Sequence, residues 1–171
     1  MRQKIRPLVA LVGAGLLGAP AAVAQSWSPV GPPGGDVRSL VTDPHDPRIV
    51  YLGTGSGSVY RSDDSAVHWL RLLPGFPLAD ASLDDLVVDP AGVLYAGYWE
   101  VHGPGGGVAR SDDGGRTFVV LPGIAGQAVR ALALAPSNPQ VLVAGTLTGV
   151  FRSRDAGQSM WSSFSGCATI S

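Results

Sequence analysis

Short apolar runs, separated by Gly and Pro, recur along this chain at a fixed interval. Residues 37–41, 83–88 and 129–134 form the first run of each set. The runs lead into Asp43-Pro44, Asp89-Pro90 and Ala135-Pro136, dipeptides that stand 46 residues apart. A second run follows in each set and ends in glycine, at Gly53, Gly97 and Gly145. A third, at 58–61, 107–110 and 149–152, leads into a polar turn, and a fourth returns from that turn at 69–72 and 118–121. Runs of four to six residues bounded by turn formers predict β-strands, and no segment after residue 25 holds a 3.6-residue apolar period.

The polar turns repeat as closely as the strands. Ser62-Asp63-Asp64-Ser65-Ala66, Ser111-Asp112-Asp113-Gly114-Gly115 and Ser153-Arg154-Asp155-Ala156-Gly157 share Ser at the first place, Asp at the third and a small residue at the fifth. A bulky apolar residue takes the eighth place: Trp69, Phe118 and Met160, with Trp161 one place later in the third copy. The Ser and Asp side chains suit hydrogen bonds to nearby backbone N–H groups. Glycine at the fifth place suits a conformation closed to most residues. The bulky residue then pins the turn to the core.

The pattern S-x-D-x-G-x-x-[WF] resembles the Asp-box, or BNR repeat, of sialidase-like β-propellers. The box also occurs in sortilin-type ectodomains, xyloglucanase-type glycosidases and photosystem II assembly factor-like secreted proteins. The second copy matches best; the first has Ala66 for Gly, and the third has its Trp displaced. The resemblance runs over residues 27 to 161 and implies a propeller with the boxes on the face opposite the ligand site.

Four antiparallel strands per 40–50 residues is the blade of a propeller, with the first strand innermost and covered by both neighbours. The expected fold is therefore all-β: a partial β-propeller of three four-stranded blades. Residues 37–78 form blade one, 79–124 blade two and 125–171 blade three, which reads as truncated. Residues 27–36 resemble a leading fourth strand that would complete a closing blade. Three blades fall short of the usual four to eight. The favoured explanation is the N-terminal part of a longer propeller, with termination or a frameshift near Met160; the alternative is assembly of several chains into a ring. A lone arc leaves strand edges and a blade side open.

Composition supports this picture. Of 171 residues, 45% are apolar and 15% charged, with 24 Gly and 14 Pro, which suits a turn-rich core-forming chain. Arg2, Lys4 and Arg6, then an apolar stretch from Leu8 to Leu17, then Ala22-Val23-Ala24, read as a signal peptide over residues 1–24. The run is short for a membrane span. The expected location is secreted or periplasmic, with no membrane association after cleavage. Without Arg2, Lys4 and Arg6, nine Arg face the 13 acidic residues, for a charge of about −4. Such a chain is a poor nucleic-acid ligand. Cys167 is the single cysteine, so no internal disulfide forms.

The candidate chemistry lies where the repeat is broken. Between its second and third strands blade two carries Tyr98-Trp99-Glu100-Val101-His102-Gly103-Pro104-Gly105-Gly106, against short turns in the other blades. Trp99, Glu100 and His102 offer an aromatic plate, a carboxylate and an imidazole for a sugar or peptide. Alternatively, Trp99 packs on a neighbouring blade. Arg38, Asp84 and Arg130 are equivalent in the 46-residue register. They would either clamp a ligand carboxylate or form an ion-pair ring. No Arg-Ile-Pro element or Tyr/Glu nucleophile pair of sialidases is present. For a two-carboxylate glycosidase, Glu100 with Asp84 or Asp85 is the pair to name. The turn residues are assigned structural roles, because each turn holds too few oxygens for calcium. His45, His68 and His102 lack metal-ligand spacing. No metal or cofactor is expected. The favoured function is non-catalytic recognition of protein or glycan, and the alternative is a sialidase- or xyloglucanase-like hydrolase remnant.

Overall fold

The computed structural model describes residues 28–33, 35–73, 76–159 and 161–164; the proposed signal peptide and Trp27 lie outside them. The alternating runs fold into three four-stranded antiparallel sheets, each with its strands in chain order. The first holds β1 (Val37–Thr42), β2 (Val50–Thr54), β3 (Val59–Ser62) and β4 (Leu70–Arg71). The second holds β5 (Ala81–Val88), β6 (Leu94–Glu100), β7 (Gly106–Ser111) and β8 (Val119–Val120). A 3-10 turn at Pro122–Ile124 leads to the third, β9 (Val129–Ala135), β10 (Asn138–Thr146), β11 (Gly149–Ser153) and β12 (Ser162–Phe164).

The middle sheet is apolar on both faces, and β6 shows why. Successive side chains of a strand point to opposite faces. Leu94, Ala96 and Tyr98 join the core shared with the first sheet, while Tyr95 joins the core shared with the third. The inner strand β5 touches β1 and β2 on one side and β9 on the other. Gly53 within β2 and Gly97 in the middle of β6, which runs on past the glycine expected to end it, make these contacts tight. A Cβ on Gly97 would lie 2.8 Å from Val129 Cγ1 and 3.1 Å from Leu132 Cγ, and one on Gly53 would lie 3.1 Å from Leu83 Cβ. The inner strand of each following sheet thus lies directly over the glycine of the sheet before it.

The three polar turns share one hydrogen-bond design. Ser62, Ser111 and Ser153 are buried, and each Oγ donates to the Asp two places on, Asp64, Asp113 or Asp155, at 2.8–2.9 Å. Each Oγ also accepts the N–H of the fifth residue: Ala66 at 3.0 Å, Gly115 at 2.8 Å and Gly157 at 2.7 Å. The Asp then receives N–H groups further along, from Val67 and His68 in the first turn and Thr117 in the second. The fourth and fifth residues both take positive φ.

In the second and third sheets the bulky residue after the turn packs toward the sheet before its own. Phe118 packs on Phe76, with ring centroids 5.4 Å apart, and Trp161 N–H reaches Gly123 O at 3.5 Å. Trp69 Nε1 donates to Val30 O at 2.8 Å. Residues 28–33, expected as strand, pair with no sheet and are tied on by that bond.

The third turn corrects one expectation. Arg61 pairs with Leu70 and Arg110 with Val119, but Arg152 pairs with Ser162, one residue later in the repeat. Trp161 rather than Met160 therefore stands immediately before the fourth strand; Met160 lies outside the described residues. As expected of a four-stranded blade, β12 pairs with β11 and supplies the fourth strand, although no apolar pattern marks it in the sequence.

Two predictions follow from the turns. Gly115 sits at φ +84°, and a Cβ there would meet Leu72 Cδ1 at 2.8 Å. Gly115→Ala should destabilise the chain by more than about 1 kcal/mol, whereas Ala66→Gly, at φ +68°, should stabilise it by about 1 kcal/mol; thermal melts distinguish the two. Hydrogen bonds from His68 hold Asp64 at about 2, and those from Thr117 hold Asp113 at about 2. A carboxylate with a lowered folded pKa contributes stability above its unfolded value and loses it as pH falls through the folded one. Melting temperature should therefore drop between about pH 4 and pH 2, with a smaller drop in Asp113→Asn.

Candidate functional site

The β2–β3, β6–β7 and β10–β11 connections share one end of the sheets with the start of each inner strand, opposite the polar turns. At that end all three inner strands carry a β-bulge at one equivalent residue. The register steps past Arg38 between Val37 and Ser39, past Asp84 between Leu83 and Asp85, and past Arg130 between Val129 and Ala131. A bulge leaves one residue without a ladder partner and re-aims its side chain. Three charged residues occupy three bulges.

Their charges are already matched. Arg130 Nη1 donates to Asp84 Oδ2 at 2.9 Å across the junction of the second and third sheets. Ser82 Oγ donates to the same carboxylate at 2.8 Å. The Arg130 guanidinium also lies over the Trp99 ring, 3.8 Å from its centroid, in cation–π geometry. Trp99 thus packs on an arginine of the neighbouring sheet. Arg38 is held by Asp36, with Nε and Nη2 both donating to its carboxylate at 2.9–3.1 Å. Asp36 was not legible as a partner, although it stands two residues before Arg38 on the same strand entry.

Asp84 and Asp85 are neighbours with opposite environments. Burial works to raise the pKa of Asp84, but the hydrogen bonds from Arg130 and Ser82 and the charge of Arg130 work against it, and the carboxyl is held below its ordinary range. Asp85 points to the next sheet, where Leu132 N–H donates to Oδ2 at 2.7 Å. Burial dominates there and pushes its pKa up. The long β6–β7 loop folds back on itself. Glu100 N–H bonds Gly105 O at 3.0 Å, and its carboxylate lies against Gly103 and Gly105, where a Cβ would meet it at 2.5–2.6 Å. His102 Nδ1 pairs with Asp80 Oδ1 at 2.7 Å while its N–H bonds Oδ2 at 2.9 Å. Those bonds hold Asp80 below the ordinary carboxylate range. The structure therefore brings Trp99, Asp84 and Arg130 into one contact group. It places Arg38 with Asp36, and Glu100 and His102 within the loop.

Solved structures share this architecture. The GH74 xyloglucanase of Xanthomonas campestris matches 75% of the chain at 20% identity with a TM-score of 0.63. YCF48 from Cyanidioschyzon merolae matches 77% at 15% identity and 0.56, and the computationally designed Ika4 protein 84% at 16% and 0.59. The chain is a partial β-propeller. Its three sheets are three blades, and it spans 21% of the xyloglucanase chain, 38% of the YCF48 chain and 81% of Ika4. No family model matches the sequence, and no curated protein matches it.

The environment of Asp85 makes a testable difference. A carboxyl whose pKa rises on folding binds its proton more tightly when folded, so ionising it costs stability above that pKa. Asp85→Asn keeps an acceptor for Leu132 N–H and removes the buried charge. Its melting temperature should exceed wild type at pH 7 and match it near pH 3. Arg130→Ala should do the opposite at pH 7, costing about 1–2 kcal/mol by stranding the Asp84 carboxylate.

Proposed function

We propose that this chain is an exported, non-catalytic recognition module of the Asp-box propeller class, and that it binds a neutral glycan at the bulged end of its blades. The observation that carries this is the pairing of charge beside an aromatic ring. Asp84 with Arg130 presents donors and acceptors without net charge next to Trp99, and Asp36 with Arg38 does so at the equivalent bulge of blade one. Sugar hydroxyls need that mixture, and a sugar's apolar face suits an indole. Engagement of the carboxylates supports a non-catalytic role: Asp84 is ion-paired, Asp85 caps Leu132 N–H, and Glu100 is packed against its own loop. The three Ser–Asp turn networks support the Asp-box assignment, and the basic-apolar-small pattern of residues 1–24 supports export.

A hydrolase reading has two observations in its favour. The pKa values of Asp84 and Asp85 are displaced in opposite directions, as those of a base and an acid are, and xyloglucanases share the fold. One experiment separates the two. Titration of the secreted chain with xyloglucan oligosaccharides, followed by tryptophan fluorescence and by reducing-end release, should give saturable binding without cleavage. Trp99→Ala should weaken binding about tenfold. Cleavage abolished by Asp85→Asn would establish the hydrolase, and failure of any oligosaccharide to bind would remove the glycan reading.

A further inference from the structure

The two ends of the three-blade arc are the two halves of a contact that the chain already makes twice. At each internal junction, an inner-strand pair lies over the second-strand glycine of the blade before: Leu83 and Leu86 above the Gly53 blade, Val129 and Leu132 above Gly97. The equivalents at the front of blade one are Val37 and Leu40, and both are exposed. Leu40 is 60% exposed, against 2% for Leu86 and 7% for Leu132. The equivalent at the back of blade three is Gly145, where, among the described residues, the nearest atom to an added Cβ is Ala131 Cβ of its own blade at 3.6 Å. Val150 shows the same on β11: it is 45% exposed, whereas its equivalents Val59 and Val108 are fully buried. The back of blade three therefore carries an empty seat, and the front of blade one carries the residues that fill such seats.

From this complementarity we infer that two copies of the chain close head to tail, each seating Val37 and Leu40 over Gly145 of its partner. Because the contact joins two different faces, it must form a ring or an endless series. Two copies of three blades make six, inside the four-to-eight range of closed propellers, whereas three copies make nine. An apolar groove of about 460 Å³ lined by Leu40, Val41, Thr42, Val50 and Ala66 lies on the front face and would be covered. Charge at the junction is consistent with closure. Arg130 of one copy would neighbour Arg38 of the other, and Asp36, whose equivalents Ser82 and Ala128 carry no charge, supplies the carboxylate there. Residues 28–33, tied to Trp69, stand where the preceding blade's exit would run, so the docking copy contributes mainly its β9–β11 face.

The mature chain, measured by light scattering and native mass spectrometry at micromolar concentration, should be a discrete dimer. Leu40→Glu changes a residue already exposed in the single chain, and Gly145→Val places a β-former in a strand. Each should leave the far-ultraviolet circular dichroism intact and convert the dimer to monomer. Mixing the two variants should restore a one-to-one species, because each retains the face the other has lost. Contact between like faces would instead leave one variant dimeric and give no rescue. A wild-type monomer, an open ladder of masses, or a dimer that survives both substitutions would overturn the inference.

Discussion

Each blade is fixed to the one before it by an inner strand lying over a glycine, and the rest of the structure depends on that close approach. Without a side chain at Gly53 or Gly97, the backbone of the earlier blade comes within reach of Leu83, or of Val129 and Leu132. Those side chains are fully or nearly fully buried. Any Cβ at these glycines would force the blades apart by a substantial part of an ångström, opening voids along both apolar faces of β6. Close-packed interiors tolerate such gaps poorly, because side chains lining a void lose their dispersion partners. The glycine of the second strand is thus a packing requirement between blades.

The polar turns secure the same junctions at the outer rim. Their serine and aspartate satisfy the turn's own N–H groups, which frees the following aromatic residue to leave its own blade and pack on the previous one. Phe118 meets Phe76, and Trp161 shares a core with Leu121 and Ile124. Gly115 belongs to this contact as well as to the turn, since Leu72 of the preceding blade lies against it. Ala66, at the equivalent place in blade one, lines an open groove instead. Its Cβ meets no leucine of a preceding blade, although its φ remains positive. Substitution at the fifth turn position therefore follows from what the neighbouring blade supplies.

Much of the fold was legible because two periods coincide. Alternation along each strand and the 46-residue interval between equivalent strands both survive in the bare sequence, so eleven of the twelve strands are legible in their three sets. The irregular third copy has a physical cause. Ser162-Ser163-Phe164 pairs through its backbone without an apolar alternation to announce it, and the extra residue in the third turn displaced Trp161 by one. The site was less legible. A bulge inserts one residue at the same place in every inner strand, so it leaves the repeat interval unchanged and leaves no trace in the spacing. The register did show that Arg38, Asp84 and Arg130 are equivalent. It could not show that Arg130 would bridge Asp84 and Trp99, because that contact joins two blades, nor that Glu100 would fold onto glycines of its own loop.

The bulges also tie the site to the blade junction. An extra residue in β5 lets two successive carboxylates serve different surroundings. Asp84 meets Arg130 at the open end, and Asp85 reaches the backbone of β9. Both bonds cross from blade two to blade three. Whatever contacts Arg130 or Trp99 therefore acts on the junction as well, by reinforcing or competing with the ion pair that spans it. A ligand that accepts from Arg130 while leaving Asp84 its Ser82 bond would bridge two blades and stiffen the arc. One that displaced Arg130 would leave a half-buried carboxylate whose cost the junction must bear. Under the proposed glycan reading, sugar hydroxyls would donate to Asp84 and accept from Arg130 together, whereas an anion would compete for the arginine alone.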